Sequence, residues 1–400
     1  MSWKKMKLKY LAHMQSGDSI TSESIEVEGI YPVYGGGALR GYTEIYTHDG
    51  EHILIGRQGA HCGSVREVKG KFFASEHAVV VTHSKGVDNG WLYYLLESMN
   101  LNQYSISAAQ PGLSVGSIKN LEVNVPYYDL QVKIRKYIDK KTKMFESIIK
   151  QKEKLINLLE QQRQSIITEA VTKGLNPNVK MKDSGVEWIG EIPEHWKLTK
   201  IKYVAKLLNG DRGENYPSGN DFVDEGIPFI TSHNLNGRYI NESNLKYISE
   251  ERYNLLRGIK VKEKDIIYCL RGSVGKNSLV TKDEGTIASS LMGIRGSTKV
   301  NAEFLSYILN SKMEVWNRSM LTTGSVSDNL SAENVGTYLF TFPDLNEQFE
   351  IVNYLNTEML KLEELIMVVN QQIEKLKEYR QSLIYEAVTG KIDVGDMELD

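Results

Sequence analysis

Long apolar runs are missing from this 400-residue sequence. No stretch approaches the eighteen or so consecutive apolar residues that a membrane span needs. Cysteine is scarce. Cys62 and Cys269 stand alone and form no Cys-x-x-Cys pair, which excludes a disulfide framework and a cysteine-rich zinc module. No apolar signal core follows Met1-Ser2-Trp3-Lys4-Lys5, so the expected location is the cytoplasm, with no membrane association. An excess of basic residues is also missing: the formal net charge is −3. That counts against a nucleic-acid binder, which usually carries a basic footprint. Net charge averages over the whole chain, however, and acidic surface elsewhere can hide a basic groove.

What the chain has is an internal repeat, the first thing to seek in a sequence of this length. Trp3-Lys4-Lys5-Met6-Lys7-Leu8-Lys9-Tyr10-Leu11-Ala12 is matched by Trp196-Lys197-Leu198-Thr199-Lys200-Ile201-Lys202-Tyr203-Val204-Ala205 at an offset of 193. The match continues to Gly17-Asp18 and Gly210-Asp211, with eight of sixteen positions identical. Trp91-Leu92-Tyr93-Tyr94-Leu95-Leu96 matches Phe304-Leu305-Ser306-Tyr307-Ile308-Leu309 at offset 213. Arg163-Gln164-Ser165-Ile166-Ile167-Thr168-Glu169-Ala170-Val171-Thr172 matches Arg380-Gln381-Ser382-Leu383-Ile384-Tyr385-Glu386-Ala387-Val388-Thr389 at offset 217, with eight of ten identical. The offset grows by 24 inside the globular portion alone. Duplication for stability is one reading. A shared frame with unlike inserts fits better with two modules that read two different things.

Each copy ends in a helix. From Asp129 to Thr172 there is neither proline nor glycine, and Ile134, Ile138, Phe145, Ile148, Ile149, Leu155, Ile156, Leu159, Ile166 and Ala170 recur at spacings of three, four and seven. Ile351, Leu355, Leu362, Leu365, Ile366, Ile373, Leu376, Leu383 and Ala387 repeat the stripe. At 1.5 Å per residue each helix is about 65 Å long. A stripe that long needs another long helix to bury it. The two helices can pair antiparallel within one chain, which makes a pseudo-twofold arrangement; separate dimerisation zippers are the alternative. Their apolar surface is wider than a two-position seam, which leaves room for helices of a partner protein. Lys173 to His195 is rich in breakers, including Gly174, Asn176-Pro177 and Ile192-Pro193, and reads as a connector.

The globular parts contain short β-prone segments bounded by glycine, such as His52-Ile53-Leu54-Ile55, Ala78-Val79-Val80-Val81 and Asp265-Ile266-Ile267-Tyr268. Short helices fit Trp91 to Ser98 and Phe304 to Ser311. The expected fold is α+β: two mixed, largely β domains joined by two long antiparallel coiled-coil helices. The expected boundaries are a first domain at 1–128, a helix at 129–173, a connector at 174–195, a second domain at 196–343, a helix at 344–391 and a tail at 392–400.

Polar side chains cluster beside glycine in the predicted loops. Arg40, Arg57, Gln58 and His61 do so in the first domain, and Arg212, His233, Asn234, Arg271, Ser273 and Lys276 in the second. These types suit base edges and phosphates, and glycine lets backbone N–H groups come close. Ordinary hairpin chemistry is the competing reading at each position. Catalytic motifs fail. Arg271 to Ser278 lacks the glycine and hydroxyl residue of a phosphate loop, with Leu270 and Asn277 in those places. Asn124-Val125-Pro126-Tyr127 lacks the second proline of an adenine methyltransferase loop, so Pro126 and Pro343 read as helix punctuation. His48 and His52 flank Asp49-Gly50, a turn, and have no further ligand partner nearby.

Residues 134–174, ending in Arg163 to Lys173-Gly174, resemble one family, as does the connector Met181-Lys182-Asp183-Ser184-Gly185-Val186-Glu187-Trp188-Ile189-Gly190-Glu191-Ile192-Pro193-Glu194-His195-Trp196. The closing Glu386-Ala387-Val388-Thr389-Gly390-Lys391 fits too. The family is the specificity subunits of type I restriction–modification enzymes. The resemblance implies two target-recognition domains, each reading half of a bipartite, asymmetric site on double-stranded DNA, with the helices as a spacer. It implies two methyltransferase subunits, which bind S-adenosylmethionine and methylate adenine. It also implies restriction and translocase subunits that use ATP and Mg. The chain itself is then expected to be no enzyme and to hold no cofactor or metal. Arg163, Gln164, Ile167, Arg380, Gln381 and Ile384 are the expected partner-binding residues on the helices. A helical scaffold that tethers partners without reading DNA is the rival reading, and an enzyme with an unrecognised site is a second.

Overall fold

The computed structural model describes residues 3–105, 112–322 and 329–395. It divides into two compact units. Unit 1 holds residues 1–153 and 369–400, and unit 2 holds residues 154–368. Each unit therefore owns one globular domain and a part of both long helices.

Unit 1 opens with β1 (Lys4–Lys7), β2 (Ala12–Ser16), β3 (Tyr31–Tyr34), β4 (Leu39–Thr43), β5 (Glu51–Gly56), β6 (Val65–Lys69), β7 (Phe73–Ala74) and β8 (Ala78–His83). Helices α1 (Asn89–Ser98) and α2 (Val115–Lys119), strand β9 (Glu122–Val125) and the long α3 (Tyr128–Lys173) follow. The main sheet runs β2-β8-β5-β6, antiparallel throughout. A smaller sheet, β4-β3-β7, has one parallel pair, β3 with β7. The central strands β5 and β8 are apolar on both faces because both faces are covered. Ile53, Ile55, Val79 and Val81 enter the main core with α1 and the helices. Their alternates Leu54 and Val80 enter a second cluster with Phe72 and Ala74. This is the two-residue period of a strand, split between two cores.

The connector forms a hairpin, β10 (Met181–Asp183) with β11 (Glu191–Pro193), and buries Ile189 and Ile192 in the core of unit 2. Then β12 (Lys197–Lys200), α4 (Ile201–Val204), β13 (Ala205–Asn209), β14 (Phe222–Val223), β15 (Ile227–Ile230), β16 (Lys246–Ile248), α5 (Glu250–Leu255), β17 (Ile266–Cys269), β18 (Asn277–Leu279), β19 (Thr286–Ile287) and β20 (Leu291–Gly296) are laid down. Helices α6 (Ala302–Leu309), α7 (Lys312–Thr322) and α8 (Ala332–Gly336), strand β21 (Leu339–Phe342) and the long α9 (Leu345–Thr389) complete the chain. The main sheet is β13-β20-β17-β18, the same order as in unit 1. The second, β14-β16-β15-β19, again has one parallel pair, β15 with β19. Ile266, Tyr268, Met292 and Ile294 face one core, while Ile267, Cys269 and Leu291 face another.

The helices pair antiparallel inside each unit. In unit 1 the Phe145 and Tyr379 rings lie 5.5 Å apart and Lys152 Nζ donates to Gln372 at 2.6 Å, while Lys133 Nζ reaches the Gly395 carbonyl at 3.0 Å. In unit 2 Arg163 meets Glu363 at 3.5 Å and the Thr341 hydroxyl donates to the Val171 carbonyl. Both helices stop on a glycine with φ of +76° (Gly174) and +78° (Gly390), the left-handed cap that favours this residue. Each cap glycine packs against a tryptophan, Gly390 on Trp3 and Gly174 on Trp196.

Candidate nucleic-acid interface

Register decides where the polar loops go. In unit 1 Ser16 pairs with Val79 and Gly56 with Ala78. The ends of β2 and β5 and the start of β8 therefore lie on one edge of the main sheet. The β3–β4 loop folds onto the same edge. Its Gly36 meets Gly56 so closely that a side chain on Gly56 would collide with the Gly36 carbonyl. Ser64 Oγ donates to that carbonyl at 3.1 Å. Gly37 lies against His61, and the Arg40 stem crosses Gly35. Arg40 is thus brought onto one surface with Arg57, Gln58 and His61.

Each of the four is held differently. Arg57 is half-buried, and its Nη1 donates to Ser16 Oγ at 3.1 Å. Gln58 Oε1 accepts from His77 Nδ1 at 2.8 Å, and His77 Nε2 lies 3.1 Å from Glu76. Arg40 and His61 are exposed. Sequence reasoning missed Ser16 and His77, because only the fold brings them beside Arg57 and Gln58.

Unit 2 repeats the edge. Asn209 pairs with Met292 and Cys269 with Leu291, so the loops at Gly210–Gly213 and Leu270–Lys276 leave the sheet together. Backbone bonds fix the correspondence. Arg57 N–H donates to the His77 carbonyl and the Arg57 carbonyl accepts from Leu113; Leu270 does the same with Ser290 and Leu330. Leu270 therefore stands where Arg57 stands, and Arg271 where Gln58 stands. Arg271, Ser273 and Arg212 are exposed, as is His233 on the turn after β15. Lys276 is exposed as well but lines a cavity of about 280 Å³ with Arg163, Gln164 and Arg238 on the helix side of the unit.

Asn234 corrects the sequence reading. It is 2% exposed; its Oδ1 accepts from the Thr231 N–H and hydroxyl, both at 2.9 Å, and its Nδ2 donates to Asn241 at 3.1 Å. It builds the turn and has nothing left to offer a base. Sequence reasoning also missed Arg257, Lys260, Lys262 and Arg295, which join Arg212 around a groove of about 640 Å³. The carboxylate of Asp211 accepts backbone N–H groups of Gly213 and Arg257, both at 2.6 Å, which holds it below the usual carboxylate range.

On the helices, Ile167 and Ile384 are corrections too. At 4% and 2% exposure each is sealed in the core of its own unit and gives a partner no surface. Arg163 sits by Glu160 and Glu363, Arg380 lies 3.9 Å from Glu97, and Gln164 Nε2 donates to the Asn310 carbonyl at 3.1 Å. Gln381 is exposed. The repeated Arg-Gln-Ser segment thus docks each helix on its own domain. Uncovered apolar side chains lie elsewhere, at Leu155, Leu158, Leu360, Leu365 and Met367. His48 and His52 stack around Phe72 in an aromatic cluster. Among the described residues no group of three or more His, Cys, Asp or Glu side chains could hold a metal ion, and no helix is long and apolar enough to cross a membrane.

Comparison with known proteins agrees with this frame. Residues 1–158 and 193–377 match the family described as type I restriction modification DNA specificity domain. The type I restriction enzyme EcoprrI specificity subunit of Escherichia coli is 45% identical over 141 residues, 34% of this chain and 35% of that protein. This match spans about a third of the relative's length. The type I restriction enzyme MjaVIII specificity subunit of Methanocaldococcus jannaschii is 22% identical over 394 residues, 93% of this chain and 88% of its own. A chain from a structure described as the structural basis underlying complex assembly and conformational transition of the type I R-M system has the same fold, with a TM-score of 0.69 at 13% identity over 98% of both chains. Two copies of one sheet frame, each closed by a half of two long helices, and a family match across both copies lead to one conclusion: the chain belongs to the family of type I restriction–modification specificity subunits.

Proposed function

We propose that this chain is the sequence-reading subunit of a type I restriction–modification complex. Unit 1 and unit 2 each read one half of a bipartite site on double-stranded DNA. Methyltransferase subunits, two of them, bring S-adenosylmethionine and methylate adenine; restriction and translocase subunits bring ATP and Mg. The observation that carries this reading is the pair of equivalent sheet edges with unlike side chains: Arg57-Gln58 at one and Leu270-Arg271 at the other. Arginine favours guanine edges and glutamine favours adenine, so equivalent positions with different residues select different half-sites. The site is then asymmetric, with a gap between its halves. Methylome sequencing of a host that carries this subunit with its partners tests it. A gapped, non-palindromic motif is expected, and a symmetric, ungapped motif overturns the reading.

A further inference from the structure

The groove beside β13 in unit 2 concentrates positive charge. Arg212, Arg257, Lys260, Lys262 and Arg295 line it along with the main-chain edge Leu207–Asp211. Two of the acidic groups nearby are already engaged, and a third, Asp283, acts on Arg295 through space while accepting the Glu263 N–H. Asp211 is tied to backbone N–H groups, and Asp265 is fully buried in a two-point pair with Arg295 at 2.7 and 2.6 Å. Lys260 Nζ donates to the Tyr253 carbonyl. Arg212, Arg257 and Lys262 remain exposed, with no side-chain partner among the described residues. Three free cations along one strand edge, beside a buried ion pair and a carboxylate held by backbone N–H groups, form a site for anionic groups in a row.

Unit 1 shows what the same frame looks like without such a site. The Val261 N–H donates to the Gly285 carbonyl as the His48 N–H donates to that of Phe72, so Lys262 corresponds to Asp49 and Lys260 to Thr47. The repeat sets Arg212 against Ser19, and strand register sets Arg295 against Thr82 and Asp265 against His52. The Asp265–Arg295 ion pair becomes a 3.1 Å hydrogen bond between His52 and Thr82. Arg257 follows α5, which unit 1 lacks. No lysine or arginine occupies any of the corresponding unit 1 positions.

We infer that this groove is a clamp for the sugar–phosphate backbone of duplex DNA. It starts at Arg212, just past the end of β13, and carries affinity without sequence preference, and unit 1 has no counterpart to it. The inference rests on the DNA reading above and deepens it. The clamp divides labour: unit 2 supplies most of the salt-sensitive grip, and unit 1 discriminates on a weaker electrostatic footing. Each phosphate neutralised steepens the dependence of log K on log salt by about 0.9.

The test uses the full chain assembled with its methyltransferase subunits, on a duplex carrying the methylome-defined site and on a scrambled duplex. Affinity is measured from low to moderate salt. Arg212→Ala, Arg257→Ala and Lys262→Ala are compared singly and together with the wild type. Their side chains are free, so the fold persists, checked by an unchanged melting curve. Each single change is expected to lower the salt slope by about 1 and the triple change by about 3. Both duplexes are expected to weaken alike, so the ratio of site to scrambled affinity stays constant. Asp49→Lys is expected to raise the slope. Wild-type binding with an unchanged slope in the triple variant overturns the clamp alone. A collapse of the site-to-scrambled ratio also overturns it, because the groove would then be reading bases. Absence of duplex binding by the wild-type complex overturns the DNA reading itself.

Discussion

Units 1 and 2 agree in the hydrogen bonds that hold their frames, and disagree in charge where their backbones coincide. Gln131 and Gln348 show the agreement. Gln131 Oε1 accepts from the Asp88 N–H at 2.9 Å and its Nε2 donates to the Pro126 carbonyl at 2.9 Å. Gln348 does the same with Asn301 at 2.8 Å and Pro343 at 3.0 Å. Asp88 and Asn301 are themselves the caps of α1 and α6. Each glutamine therefore locks a long helix to the cap of a short one and to the strand before it. Where the frame must hold, the chain keeps the donor and acceptor pattern. At the proposed reading edge and the proposed clamp, it changes the residue: Arg57 to Leu270, Asp49 to Lys262. The lesson is that the frame and the reading surface have been free to change separately.

The largest expected break in this symmetry is at the helix caps. Trp196 is fully buried, and its indole N–H donates to Glu347 at 2.8 Å. Trp3 is only half-buried and makes no such bond among the described residues. Trp196→Ala is expected to cost about 3–5 kcal/mol, with hydrogen exchange rising through unit 2. Trp3→Ala is expected to cost clearly less and to act in unit 1. Equal losses in denaturant titrations would show that the two caps are energetically equivalent despite their geometry.

The glutamines come next. Gln131→Ala orphans a buried N–H and a buried C=O, and Gln348→Ala a part-buried N–H and a buried C=O, at about 1–3 kcal/mol per group. Both side chains are almost wholly buried, so the two losses are expected to agree within about 0.5 kcal/mol. A wide gap between them would break the claim of a shared frame.

Much of this was legible in the sequence, for identifiable reasons. The long helices announce themselves because a period near 3.6 over forty residues has no other explanation. The duplicated frame was visible at Trp3 and Trp196 and in the two Arg-Gln-Ser segments, since those residues are held by packing. Asn234 was misread because a polar residue in a turn looks the same whether it faces water or satisfies its own turn. Ile167 and Ile384 were misread because a helix stripe shows which face is apolar but not what covers it. The groove escaped because its cations come from three separate stretches, and only the register of β13 against β20 and the path after α5 unite them. It also answers the objection from a net charge of −3: five lysines and arginines are gathered around one groove, whatever the balance over the rest of the surface.

The finest comparison is at the reading edges. Arg57→Ala and Arg271→Ala are each expected to cost roughly 1–3 kcal/mol of specific binding and to relax one base position, in different half-sites. They are not equivalent changes. Arg271 stands where Gln58 stands, so its true counterpart is Gln58→Ala. Arg57 is half-buried on Ser16, and its loss frees that hydroxyl as well as any base contact. If the shared frame positions these side chains alike, Gln58→Arg should move the unit 1 preference at one position from adenine toward guanine while leaving the unit 2 half-site untouched. Competition among duplexes that vary one base at a time reads this directly. A change in the unit 2 half-site would mean that the edges do not read independently. No change in either half-site, with binding retained, would place base readout elsewhere on unit 1 and reduce Gln58 to a hydrogen-bond partner of His77.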